Sequence, residues 1–231
     1  MMTRPLTHLI ATLFCCLTLT ACGGPREKKI EFVYVALGAS DATGVGAVPL
    51  TEGYVYLIGR ELDRRMPGVF VVNLGVPGAR IDLIKEQVRV AKQLGTKGNL
   101  VTLWAGANDL VNGDDPKFFQ DNLRALLRMV KSDMSDKIVV GNLPNLTLLP
   151  RFKASPNPAV TVERVAAFNR AIAEESASVK ASLVDFFAQP VREDGLRCGW
   201  IPSQQCRPSG NRTALSLGHP NQSGRPLTHA R

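Results

Sequence analysis

Five short apolar runs punctuate the chain: Ile30–Leu37 (IEFVYVAL), Val69–Asn73, Leu100–Trp104, Ile138–Val140 and Leu183–Phe186. Continuous runs of this length predict strands buried on both faces, although runs this short also fit pieces of helix. Between them, apolar positions recur at helical spacing. In 81–94 these are Ile84, Val88 and Ala91. In 159–180 they are Val162, Val165, Asn169 and Ile172, flanked by Ala166 and Ala173. Segments 51–65 and 116–131 carry a less regular version. The proline-rich stretch 142–158 (NLPNLTLLPRFKASPNP) predicts a long loop. Strands alternating with helices predict a parallel sheet covered on both faces. The chain shows no internal repeat.

Composition changes this picture only at the two ends. The chain has 231 residues, 45% hydrophobic and 21% charged, which excludes a disordered, collagen-like or multi-span membrane chain. A formal charge of +8 suggests nucleic acid, but five arginines and no acid fall in 197–231, and Arg4 stands alone in 1–22. The segment 23–196 therefore holds 22 bases against 20 acids. It has no basic stripe interleaved with aromatics, so no nucleic-acid partner is expected. The same segment contains neither Cys nor His, which excludes the common zinc sites; neither a metal nor a cofactor is expected. Any catalytic imidazole must come from outside it.

The N-terminus reads as an address. Arg4 and His8 precede an apolar run, Leu9 to Leu19, too short to span a bilayer as a helix. The run ends in Leu19-Thr20-Ala21-Cys22, which resembles the bacterial lipobox. That resemblance implies a signal peptide over 1–21, lipid attachment at Cys22, a tether over 22–29, and an exported protein anchored to a bacterial membrane.

In an open parallel sheet, ligands bind beyond the carboxyl ends of the strands. Three such ends are rich in small residues: Gly38-Ala39-Ser40-Asp41, Asn73-Leu74-Gly75-Val76-Pro77-Gly78-Ala79, and Trp104-Ala105-Gly106-Ala107-Asn108-Asp109. A serine on a tight turn after a strand can act as a nucleophile. A backbone N–H beside a glycine and an asparagine amide can hold an oxyanion. Taken singly, each residue is better read as a turn or helix cap. Their occurrence together at three successive strand ends favours the chemical reading for Ser40, Gly78 and Asn108. Residues 38–46 lack both a Gly-Lys-Ser/Thr ending and a GxGxxG spacing, so a phosphate loop or nucleotide site fits poorly.

At these blocks the chain resembles the SGNH, or GDSL-type, serine hydrolases. VALGASDATGVGA (35–47) resembles their first block, with Ala39 where Asp is usual. NLGVPGA (73–79) resembles the second, WAGANDL (104–110) the third, and GNLPNLTLLP (141–150) the region that follows. The resemblance implies an α/β fold, specifically a flavodoxin-like three-layer α/β/α sandwich with a five-stranded parallel sheet, over a hydrolase domain spanning 30–196. It also implies hydrolysis of a small-molecule or lipid acyl ester. Ser40 would attack, and the Ser40 N–H, the Gly78 N–H and the Asn108 side chain would hold the oxyanion. Asp41 and Asp109 do not fall on the family's triad aspartate and read as turn or cap carboxylates.

The family's last block, Asp-x-x-His-Pro, is absent from its expected place, since Asp194-Gly195-Leu196 is followed by Arg197. The one His-Pro pair is His219-Pro220, with Ser216 at the aspartate position and only seven residues after Gly224. His219 is the candidate base within the chain as written. From 197 onward the sequence lacks acids and Lys, a shift that marks either a disordered tail or translation out of frame. Synonymous codons exist for Trp200–Arg212 that, read one base later, encode Gly-Phe-His-Pro-Ser-Asn-Ala-Gly-His-Arg-Ala-Ile. Codons for Arg197-Cys198-Gly199 then supply an Asp before that Gly. Two functions follow: a lipid-anchored serine esterase of the cell envelope, or an inactive protein of the same fold that binds acyl or glycan groups.

Overall fold

The computed structural model describes residues 29–189. Five strands, β1 (Phe32–Gly38), β2 (Val69–Asn73), β3 (Leu100–Trp104), β4 (Ile138–Gly141) and β5 (Ser182–Val184), form one sheet in the order β2-β1-β3-β4-β5. Every pairing is parallel. The register places Gly38 opposite Trp104, Trp104 opposite Gly141, and Gly141 opposite Val184. The carboxyl ends of four strands therefore lie level. The chain runs from β1 to β2 on one side and returns to β3 on the other. This reversal opens a crevice beyond β1 and β3.

The connections are α1 (Ser40–Thr43), α2 (Tyr54–Arg65), α3 (Ile81–Gln93), α4 (Ala107–Val111), α5 (Pro116–Asp133), α6 (Pro150–Ala154) and α7 (Val162–Ser178). Local chemistry sets their starts. Asp115 accepts hydrogen bonds from Lys117 N and Phe118 N, with Pro116 in the first turn of α5. Thr161 caps α7 through Arg164 N. Alternation along β1 divides the core in two. Val35 and Leu37 face the apolar stripes of α3, α5 and α7, including Ile84, Val88, Leu123, Leu127 and Phe168. Tyr34 and Ala36 face α2 through Tyr54 and Val55. The layers are thus α/β/α. Full burial of each large aliphatic or aromatic side chain contributes roughly 1.5–3 kcal/mol.

The structure moves three sequence boundaries. The first strand begins at Phe32, and Ile30 is exposed. The last strand spans 182–184 rather than 183–186, because Phe186 N and Phe187 N donate to the Asn142 side chain instead of to a strand. Stretch 142–158 is not all loop. Asn145 caps a single 3₁₀ turn at Leu146–Leu148, and Pro150 leads α6. The cause is burial of Leu146, Leu149 and Phe152, which fold this segment onto the core. β2 and β5 depart from the expectation of strands buried on both faces: no residue of β2 is fully buried and Phe70 is exposed, while β5 is exposed along its length. Among the described residues, no helix is long and apolar enough to cross a membrane. The segment expected to be a signal peptide (1–21), Cys22, His219 and the 197–231 tail lie outside the described residues.

Candidate active site

The site is built on the ends of β1, β2 and β3. Gln87, buried on α3, accepts from Gly38 N (3.3 Å) and donates to Gly38 O (2.9 Å). This fixes the last peptide of β1. The chain then turns at Ala39, and Ser40 opens α1. Asn73, at the end of β2, donates to Ala42 O (2.7 Å) and accepts from Gly75 N (3.0 Å). Gly75 is required there, since an added Cβ would lie 2.7 Å from the Ala42 Cβ. The short helix carrying Ser40 is thus held through both neighbouring strands. As the first residue of α1, Ser40 has no intrahelical acceptor for its N–H. Its hydroxyl has no hydrogen-bond partner among the described residues, and these contain no histidine. The Asp41 carboxyl accepts from Ala39 N (3.3 Å). Burial pushes it up to about 6, against the opposing pull of backbone N–H groups.

Gly78 occupies the third position of a turn closed by Ala79 N donating to Val76 O (3.0 Å). Its φ of +79° after Pro77 defines a type II turn, which calls for glycine at that position. Gly78 is exposed, and its N–H has no acceptor among the described residues. Asn108 lies in the first turn of α4. Its Nδ2 donates to Ala79 O (2.9 Å), which leaves the second amide hydrogen available. The next residue, Asp109, is fully buried and accepts from Ile81 N (2.9 Å), capping α3. Its other oxygen is buried without a partner. Burial pushes this carboxyl up to about 6, opposed first by the Ile81 N–H bond. Asn108 and Asp109 therefore clasp residues 79 and 81 from across the sheet and fix the Gly78 turn relative to α4.

These elements border a cleft of about 260 Å³. Ser40 and Asn108 both line it. Gly78 does not, but its neighbour Ala79 does. Ala105, Val111, Leu143, Leu146, Leu149 and Phe152 supply apolar wall, and Arg151 is the one cationic lining residue among the described residues. Both aspartates beside the blocks act as turn and cap acceptors.

The sequence did not single out three residues that shape the site. Gln87 lies on the apolar stripe of Ile84, Val88 and Ala91, and a polar residue at that spacing was the available signal. Asn142 directly follows the β4 run. Its Nδ2 donates to Asp185 Oδ1 (2.7 Å), its Oδ1 accepts from Phe186 N (2.6 Å), and its backbone O accepts from Trp104 Nε1 (3.0 Å). It pins the chain leaving β5 to the ends of β3 and β4. The Asn142 and Ala188 donors hold the Asp185 carboxyl below the usual carboxylate range. Arg151 carried no local signal, because its place in the wall depends on α6 forming.

An all-parallel doubly wound sheet with a serine at the exit of β1, lining one cleft with an asparagine after β3, defines a class of α/β protein with its site at the switch point. Residues 36–225 match the model of the GDSL-like Lipase/Acylhydrolase family, and the chain belongs to that family. By family it is a carboxylic ester hydrolase. No curated protein sequence matches it. The fold is similar to the crystal structure of TesA (20% identity, TM-score 0.58, covering 75% of this chain and 93% of that one). It is also similar to AlinE4, an SGNH-hydrolase family esterase (21%, TM-score 0.55, 70% and 77%). A third similar structure is the psychrotrophic esterase EstA from Pseudoalteromonas sp. inhibited by monoethylphosphonate (20%, TM-score 0.53, 68% and 78%).

Proposed function

We propose that the protein is a serine-dependent esterase of the cell envelope, lipid-anchored through Cys22. Ser40 Oγ attacks the ester carbonyl, the alcohol leaves with a proton, and water then releases the acid from the acyl-serine. The Ser40 and Gly78 N–H groups and the free Asn108 amide hydrogen stabilise the tetrahedral oxyanion. The observation that carries this reading is that Ser40 and Asn108 line one cleft, with the Gly78 turn clasped beside it.

Ser40 needs a base, because a hydroxyl is a weak nucleophile at neutral pH. The described residues hold no histidine, so an imidazole base has to come from outside them. Two sources follow from the sequence. One is His219, in the HPN-x-x-G setting that the family match spans. The other is the histidine of the shifted frame, where an aspartate precedes it in the order the family uses. The second source makes the chain as written a weak enzyme, because loss of the base and its orienter costs several orders of magnitude in rate.

Turnover of p-nitrophenyl acetate by the full chain tests the reading, with Ser40→Ala, Asn108→Ala and His219→Ala alongside. Ser40→Ala is expected to abolish whatever turnover the full chain shows, and Asn108→Ala to lower kcat by about 10²–10³. Loss of turnover in His219→Ala identifies that residue as the base. Hydrolysis that survives Ser40→Ala unchanged overturns the assignment of the nucleophile.

A further inference from the structure

The cleft carries a charge that ester hydrolysis itself does not require. Arg151, an exposed residue of α6, is among the lining residues of an otherwise largely aliphatic wall. Its guanidinium lies over the Phe152 ring, 4.6 Å from the centroid, a contact that restrains a planar cation. Among the described residues it makes no ion pair and no side-chain hydrogen bond. Among the described residues the exposed Arg128 and Arg170 are likewise unpaired but do not line the cleft, whereas other arginines are matched. Arg80 pairs with Asp114 (3.3 Å), Arg124 with Glu175 (2.7 Å) and Arg60 with Glu52 (2.9 Å). The one carboxylate lining the cleft among the described residues, Asp41, is engaged by the Ala39 N–H at the start of α1.

Around this cation the wall suits a hydrocarbon chain. Leu143, Leu146 and Leu149 line the cleft from the segment that leads into α6. Val45 lines it from the loop after α1 and is itself 56% exposed. A guanidinium binds oxyanions through paired parallel N–H donors. An apolar cleft with one unmatched guanidinium therefore fits a ligand that is both apolar and anionic. We propose that the substrate is an amphiphilic acyl ester bearing a phosphate or carboxylate group, and that Arg151 selects it by binding that anion. This rests on the reading of the cleft as an ester site.

Binding can be measured without turnover. Octyl phosphate, octanol and inorganic phosphate are titrated calorimetrically into the full chain and into Arg151→Gln and Arg151→Lys. Octyl phosphate is expected to bind at least about tenfold more tightly than octanol or inorganic phosphate, a difference of ~1.4 kcal/mol. Arg151→Gln should remove that advantage and leave octanol binding unchanged, and Arg151→Lys should restore part of it. Added salt should weaken octyl phosphate selectively. Equal binding of octyl phosphate and octanol overturns the proposal, as does an unaltered preference in Arg151→Gln. Inorganic phosphate binding as tightly as octyl phosphate overturns the amphiphilic part. Failure of the ester reading is distinguishable, because it shows as hydrolysis that survives Ser40→Ala and leaves these titrations as they are.

Discussion

Asp109→Asn is expected to change the sign of its effect on stability between acid and alkaline pH. Asp109 is fully buried, with one oxygen on Ile81 N and the other without a partner. Its carboxyl is raised from 3.8 to about 6 in the fold. A raised folded value means that the protonated acid is the form the fold prefers. The associated stability is fully present below 3.8 and is lost as pH rises through about 6. At ~1.4 kcal/mol per pH unit, the ionised carboxylate costs the fold on the order of 3 kcal/mol above that window. Asparagine keeps the acceptor for Ile81 N and never ionises. It also buries an amide N–H₂ where the unpartnered oxygen was, at a cost of about 1–3 kcal/mol at every pH. The variant should therefore be less stable than the wild type near pH 4 by roughly 1–2 kcal/mol, and more stable near pH 8 by a similar amount. At ~2–4 °C per kcal/mol for a domain of this size, the two melting curves should exchange order, with shifts of a few degrees each way. Asp41 titrates in the same direction, but it is present in both proteins and cancels in the comparison. Thermal melts at the two pH values supply the measurement. A variant-minus-wild-type difference that does not depend on pH refutes the placement of a buried, ionisable Asp109 beneath the site.

Two further predictions concern the chain on either side of the cleft. Asn142→Ala removes the acceptor for Phe186 N and Phe187 N and the donor to Asp185. It should cost about 2–4 kcal/mol in a denaturant titration, and a loss below 1 kcal/mol would mean that Asn142 does not hold the exit of β5. Cys22→Ser should abolish incorporation of a labelled fatty acid, and equal labelling of variant and wild type would remove the lipid anchor.

The sheet was legible because its strands are continuous apolar runs. Val35, Leu37, Val101 and Leu103 are buried by helices whose own stripes, such as Ile84, Val88 and Ala91, sit at helical spacing. The three strand-end blocks were legible for a related reason. A glycine at +79°, as at Gly78, and one whose added Cβ would meet the Phe119 ring at 2.9 Å, as at Gly106, leave a local mark that no other residue type can carry. What escaped notice depends on contacts between segments distant in sequence. Gln87 reaches Gly38 across 49 residues, and Asn142 reaches Phe186 across 44. Neither has a short-range signature beyond being polar where the pattern is apolar. Helix α6 was hidden by Pro150, which read as a loop marker although proline is well suited to a first helical turn. Arg151 followed α6 out of sight.

On the proposed reading, the described residues carry a nucleophile and an oxyanion site but no histidine to serve as base. Turnover of p-nitrophenyl acetate is compared between two proteins. One is the chain as written. The other has the reading frame shifted by one base after Leu196, so that an Asp-x-x-His block follows the body, and its Ser40→Ala variant serves as the control. The shifted chain is expected to be faster by orders of magnitude, and Ser40→Ala to abolish the gain. Equal turnover by the two chains, or a gain that survives loss of the Ser40 hydroxyl, would contradict that reading.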